Sequence, residues 1–88
     1  MMRMVDHKTG SNVTLVKVSG RLIKNWVTDF EQNCLHHLKS SEKLVVCIDE
    51  LTFVDQPGVA AVARLAALGV VFAGGSAFVR QLLQLQPG

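Results

Sequence analysis

The chain predicts a single α/β domain: one mixed four-stranded sheet with three helices mainly on one face, in the order β-β-α-β-α-β-α. Three observations carry this. Asn12 to Ser19 (NVTLVKVS) alternates and is rich in β-branched residues, the pattern of a half-buried strand. Leu44, Val45, Val46, Cys47 and Ile48 form an unbroken apolar run, which fits a central strand stopping at Asp49. Asp55-Gln56-Pro57-Gly58 then opens an alanine-rich amphipathic stretch. Strand, acidic loop and helix in succession is how an open α/β sheet presents a functional loop at the carboxyl end of a strand.

The elements follow in order. Met1 to Lys8 is a plausible partner for the Asn12–Ser19 strand, because Thr9-Gly10-Ser11-Asn12 supplies hairpin residues; the second strand is expected to end at Gly20. From Asn25 to Leu38 the period changes to a helical one. Val27, Phe30, Cys34 and Leu38 fall on one stripe, with Asn25 as the expected N-cap. Ser40-Ser41-Glu42 makes a polar turn before the Leu44 strand. The second helix is expected from Pro57 to Leu68, with Val59, Val62, Ala63, Ala66 and its leucines facing the sheet. Asp55 precedes it, where a carboxylate accepts backbone N–H bonds and complements the dipole. Pro57 sits where a missing N–H does no harm, and Gly69 suits the position after the helix end. Val70, Val71 and Phe72 read as a short strand. Gly74-Gly75 turns the chain, and Ser76 caps a last helix whose apolar side is Phe78, Val79, Leu82, Leu83 and Leu85. Gln86-Pro87-Gly88 is a loose tail.

Composition narrows the function. Eighty-eight residues, 49% of them hydrophobic, make one core and one domain over residues 1–88. The formal charge of +2 is small and the nine basic residues are scattered, so a nucleic-acid partner is not expected. Cys34 and Cys47 fall in a helix and a central strand, as small buried hydrophobes of a reducing compartment. MMRMVDHK lacks the apolar core of a secretory signal. Leu65 to Val79 is too short to span a bilayer and is broken by glycines. A cytoplasmic protein without membrane insertion is expected.

The chemistry-bearing residues have plain structural readings. Cys34 and His37 lie one turn apart, yet zinc needs three or four ligands and Cys34 sits on the apolar stripe beside His36. No metal and no cofactor are expected. Cys–His nucleophilic catalysis lacks a group to orient the base. Asp49 and Asp55 could be drawn as an acid/base pair, but strand-end and helix-cap roles serve them better. Gly74-Gly75-Ser76 opens a helix and could hold an anion, though without a P-loop lysine. Trp26 either covers the end of the core or marks an interface. Arg64 and Arg80 are expected on the solvent sides of their helices.

Three groups of residues, in this order and spacing, resemble one family. They are Ser19-Gly20 followed by Arg21-Leu22; the stretch VVCIDELTFVDQPGVAAVARL; and Gly69-Val70-Val71-Phe72 with Gly75-Ser76-Ala77-Phe78-Val79 and Leu82-Leu83. Together they span Val13 to Leu85, and they resemble a STAS domain, shared by bacterial anti-sigma-factor antagonists and the cytoplasmic tails of sulfate transporters. The resemblance implies a protein–protein interaction module and not an enzyme. In the sigma-factor branch a serine of an Asp-Ser-Ser-Gly loop is phosphorylated by the partner kinase, and the added charge blocks docking.

Carried over by position, Asp55 and Gly58 match the loop's ends. Gln56 and Pro57 occupy the two serine positions, and the phosphoacceptor falls on Pro57, which has no hydroxyl. Thr52 and Ser76 are the nearest hydroxyls, with ordinary roles as a turn residue and a helix cap. The expected partner-binding surface is Asp55, Gln56, Pro57, Gly58 and Val59, offered to an anti-sigma-type kinase. The alternative is an accessory subunit docking on a transporter ATPase, and a third is a small-molecule or nucleotide receptor. STAS domains commonly continue with another strand and helix. The resemblance therefore leaves the uncharged Val70–Phe72 strand as an edge, and a homodimer or a partner is expected to cover it.

Overall fold

The computed structural model describes residues 2–8, 12–40 and 43–84. Its elements are β1 (Met2–Lys8), β2 (Val13–Leu22), α1 (Asn25–Ser40), β3 (Lys43–Val54), α2 (Gln56–Ala67), β4 (Val71–Ala73) and α3 (Ala77–Leu82). They form one four-stranded sheet in the order β1-β2-β3-β4, as the sequence predicts. β1 runs antiparallel to β2, whereas β2, β3 and β4 are parallel. Met1, Thr9 to Ser11 of the hairpin, Ser41-Glu42, Leu85 and the Gln86-Pro87-Gly88 tail lie outside the described residues.

Topology explains where the core sits. The β2-α1-β3 and β3-α2-β4 crossovers both step the same way across the sheet. With the usual right-handed sense, both helices must land on the same face. The alternating strands answer this. Thr14, Val16, Val18 and Leu22 of β2 and Leu44, Val46 and Ile48 of β3 are buried. The apolar ones among them meet Val27, Phe30 and Cys34 of α1, Ala61, Val62 and Leu65 of α2, and Val79 of α3 in one cluster. Full burial of each large aliphatic or aromatic side chain contributes about 1.5–3 kcal/mol.

Several local expectations are corrected. β3 does not stop at Asp49 but continues to Val54, and β2 runs past Gly20 to Leu22. The pairing slips between Lys17 and Ser19 and again between Gly20 and Arg21, each time with one extra residue on β3; beside the first bulge Asp49 and Glu50 are both exposed. Thr52 is therefore a strand residue rather than a turn residue, and its hydroxyl donates to the Gly20 carbonyl at 2.9 Å. Asn25 is the first residue of α1, not the cap before it. On α2 the buried stripe is Gly58, Ala61, Val62 and Leu65, with Val59 half-buried. Ala63 and Ala66 face solvent, because the true stripe is rotated from the one read off the alanines. β4 begins at Val71, leaving Val70 buried in the connection.

Cys47 is half-buried on the sheet face away from the helices, not in the core. Phe78 is 56% exposed and leaves the expected stripe of the last helix, whereas Val79 and Leu83 are buried in the core and Leu82 is half-buried. Gly69 follows α2 as expected. Its N–H donates to the Ala66 carbonyl at 3.0 Å and that of Val70 to Leu65 at 3.1 Å, closing the helix with a Schellman motif. Arg64 is not merely solvated. Its guanidinium makes paired bonds of 2.8 and 2.7 Å to the Glu31 carboxylate, clamping α2 to α1 and holding Glu31 below the usual carboxylate range. Arg80 is half-buried and donates to the Gly74 carbonyl.

Candidate protein-interaction site

The carboxyl ends of β2 and β3 bring the starts of α1 and α2 together, and Asp55 holds the junction. Its backbone is extended, so its side chain can turn back over the first turn of α2. Oδ1 accepts the Gly58 N–H at 2.9 Å, the capping bond. Oδ2 accepts the Lys24 N–H at 2.9 Å, at the entrance to α1. The Asp55 N–H donates to the Leu22 carbonyl at 3.2 Å. One side chain thus fixes two helix starts against the end of β2.

Gly58 makes this approach possible. A Cβ there would lie 2.6 Å from Val54 Cγ1 and 2.8 Å from the Leu22 carbonyl oxygen. Between the anchored Asp55 and the buried Gly58, Gln56 and Pro57 stand exposed at the first two helical positions. Proline there fixes its own φ and costs the helix no hydrogen bond. Two aromatic side chains close in the chain to Lys24 and Asp55 are also exposed. Trp26, two residues beyond Lys24, and Phe53, two residues before Asp55, are each 39% exposed. Phe53 escaped the sequence reading because the strand was expected to end before it. Continuing the β3 alternation to Val54 would have found it.

The other candidate residues do not assemble into a reaction centre. Asp49 lies on β3, where its carboxylate accepts the Gly75 N–H at 2.8 Å and the Cys47 thiol at 3.4 Å. It therefore latches the β4–α3 turn, while Asp55 serves the helix starts, and the two acids share no partner. His37 Nε2 meets Asp6 Oδ2 at 3.0 Å, tying α1 to β1, and Cys34 is fully buried with its thiol pushed up to about 12 by burial. Among the described residues no cluster of three His, Cys, Asp or Glu could hold a metal ion. The Gly74-Gly75-Ser76 stretch uses its donors internally, Gly75 N–H on Asp49 and Val79 N–H on the Ser76 hydroxyl, the latter a cap as expected.

The Asp49 latch has a defined pH dependence. The Gly75 bond, and then the Cys47 bond, stabilise the carboxylate and hold its pKa below the usual aspartate range. A carboxyl depressed in the folded state adds stability above its unfolded pKa and loses it as pH falls through the folded one. The Gly75 amide proton resonance will therefore titrate with a midpoint below the usual aspartate range. An ordinary aspartate midpoint would show that the latch is not formed.

Comparison with solved structures agrees with this architecture. The anti-sigma factor antagonist SpoIIAA in its unphosphorylated form superposes with a TM-score of 0.72 at 16% identity, over 97% of this chain and 84% of that one. The fold is the STAS fold. An anti-sigma factor antagonist STAS domain from Rhodobacter sphaeroides matches with a TM-score of 0.69 at 14% identity, over 89% of this chain and 95% of that one. The Bacillus cell fate determinant SpoIIAA in its phosphorylated form matches with a TM-score of 0.69 at 16% identity, over 93% and 81% of the two chains. No protein-family model matches the sequence, and none of the curated proteins matches it. No helix among the described residues of this STAS-like domain is long and apolar enough to cross a membrane.

Proposed function

We propose that this STAS-like domain is a cytoplasmic protein-interaction module of a bacterial regulatory system, without catalytic activity and held in one phosphorylation state. The observation that carries this reading is the exposed Gln56-Pro57 tip, clamped between the Asp55 cap and the buried Gly58. The tip takes the place of the phosphorylated loop in the antagonists that the sequence resembles. A neutral, preordered tip stands in for the unphosphorylated, binding-competent form, and its rigidity lowers the ordering cost of docking. Asp55, Gln56, Pro57, Gly58 and Val59 form the centre of the contact surface, with Trp26 and Phe53 as aromatic anchors at its margins. The partner is an anti-sigma-type kinase. The Thr52 hydroxyl is engaged with the Gly20 carbonyl, which supports its structural role in the strand. Among the described residues the outer edge of β4 pairs with no strand, which supports docking of a strand from a partner or a second copy there.

Gln56→Glu tests the reading, since it adds charge at the tip without touching the cap. Capture from the native lysate by the wild-type domain should recover the kinase, and Gln56→Glu should weaken that complex about tenfold or more. Unchanged affinity would place the docking surface elsewhere. Recovery of a transporter ATPase instead would assign the domain to a transport system.

A further inference from the structure

On the sheet face away from the helices lies a cleft of about 260 Å³, whose lining includes Arg3 of β1, Lys17 and Ser19 of β2, and Asp49 and Glu50 of β3. The strand register explains its charge pattern. Arg3 is level with Ser19, and Ser19 is level with Glu50. A cation and an acid thus stand on either side of a short hydroxyl side chain, two strands and about 10 Å apart at the backbone. Opposite charges on a sheet usually stabilise one another as direct neighbours. Ser19 keeps these two apart, and neither the Arg3 nor the Glu50 side chain forms a hydrogen bond or ion pair among the described residues. The Lys17 charge falls instead on Asp49, whose carboxylate is also held by the Gly75 N–H and the Cys47 thiol. That leaves Arg3 and Glu50 as the charges of the lining without a partner among the described residues.

We infer that the cleft binds a short zwitterion, an α- or β-amino acid, which bridges Arg3 to Glu50 across Ser19. The ligand carboxylate accepts paired N–H bonds from the Arg3 guanidinium, a planar fork that matches it, and the Ser19 hydroxyl donates to the same group. The ligand ammonium donates to the Glu50 carboxylate. With a hydrogen bond of about 2.9 Å at each end, about 4 Å remains between the two charged groups of the ligand. An α- or β-amino acid spans that distance, whereas a long ω-amino acid has to buckle and a singly charged ion reaches only one side. At about 30 Å³ for each displaced water, the cleft has room for a molecule of this size.

Arg3 and Glu50 are exposed, and exposed ion pairs contribute little singly. Two of them joined through one ligand correspond to a weak site, with a Kd on the order of 1–10 mM. The inference does not rest on the loop reading, because none of these residues belongs to the Asp55–Gly58 loop.

A titration followed by nuclear magnetic resonance tests it. At constant ionic strength, glycine and β-alanine should each shift the Ser19 and Glu50 amide resonances saturably, with a Kd on the order of 1–10 mM. Acetate, methylammonium and 6-aminohexanoate should bind about tenfold more weakly or worse, since each loses one end of the bridge. Arg3→Gln and Glu50→Gln are exposed changes that should leave circular dichroism unaltered, and each should weaken glycine binding about tenfold. Absence of a saturable shift by about 100 mM glycine would overturn the inference. So would acetate binding as tightly as glycine, since that result assigns the site to an anion at Arg3 alone. Glycine binding that survives both variants overturns it equally. Gln56→Glu should bind glycine as the wild type does, which separates the cleft from the docking loop.

Discussion

Asp55→Ala will melt roughly 5–15 °C below the wild-type domain and will lose partner binding by more than the stability change explains. Removing a capping carboxylate costs about 1 kcal/mol, and up to about 2 in well-ordered proteins. The same substitution strips the Lys24 N–H of its acceptor, at a site open enough for water to replace part of the bond. A total of about 1–2 kcal/mol follows, and in a domain of this size each kcal/mol moves Tm by about 4–8 °C. Asp55→Asn is the informative control. Its single side-chain oxygen can keep the Gly58 cap but cannot also accept the Lys24 N–H in the same way. It should recover most of the stability and less of the binding, because the relative placement of the two helix starts is what it loses. Thermal melts of both variants, paired with titrations against the captured partner, separate the two effects. Equal melting of Asp55→Ala and wild type would show that the bonds at this junction carry no weight.

That junction was half legible in the sequence. An acid before Gln-Pro-Gly and an amphipathic run is a helix start by local rules, and the capping bond to Gly58 follows from them. The bond to Lys24 connects residues 31 apart in the chain, and no local rule reports it. The same division holds across the fold. Periodicity and apolar runs located β2, β3, α1 and α2, because a buried element must repeat with the period of its backbone, while turn and cap residues placed β1, β4 and α3. Periodicity misplaced the end of β3, because Asp49 and Glu50 interrupt the alternation and a charged pair reads as a strand end. Only the partner strand reveals that the interruption is a bulge followed by Leu51 and Val54, both buried. Alanine misled for a related reason. It contributes little to an apolar moment on either side of a helix, so the rotation of α2 is set by Val62 and Leu65 against α1 and the sheet, beyond what the alanines indicate.

Pro57 links the readings of the loop. On the proposed function, a serine at this position would make the tip both a docking surface and a switch, whereas proline has no hydroxyl and leaves the surface without the switch. It also restricts the preceding residue, Gln56, toward extended backbone, yet Gln56 is here the first residue of α2. The Asp55 bonds on either side must hold Gln56 against that bias. Conformational rigidity at the tip therefore depends on the clamp, which is why the Asp55 variants are expected to affect binding and stability unequally.

Gly58→Ala sets two opposed effects against each other, and their magnitudes give the sign. Alanine is about 1 kcal/mol better than glycine inside a helix, so at an unconstrained site the change would stabilise the domain. Gly58 is not such a site. The new methyl would lie 2.8 Å from the Leu22 carbonyl oxygen and 2.6 Å from Val54 Cγ1. Val54 can turn its side chain, but the Leu22 carbonyl cannot withdraw freely, because it accepts the Asp55 N–H at 3.2 Å. Overpacking of this kind costs about 1–3 kcal/mol. Relief requires α2 to lift from the end of β2, which lengthens both the Leu22–Asp55 bond and the Asp55 cap. The variant should fold, melt roughly 5–10 °C lower, and bind its partner more weakly through a displaced Gln56-Pro57 tip. An Ala60→Gly control on the exposed side of the same helix should lose about 1 kcal/mol by propensity alone and leave binding intact. A Gly58→Ala domain more stable than wild type would show that the close approach of α2 to β2 is loose enough to accept a side chain, and that the clamp lies elsewhere.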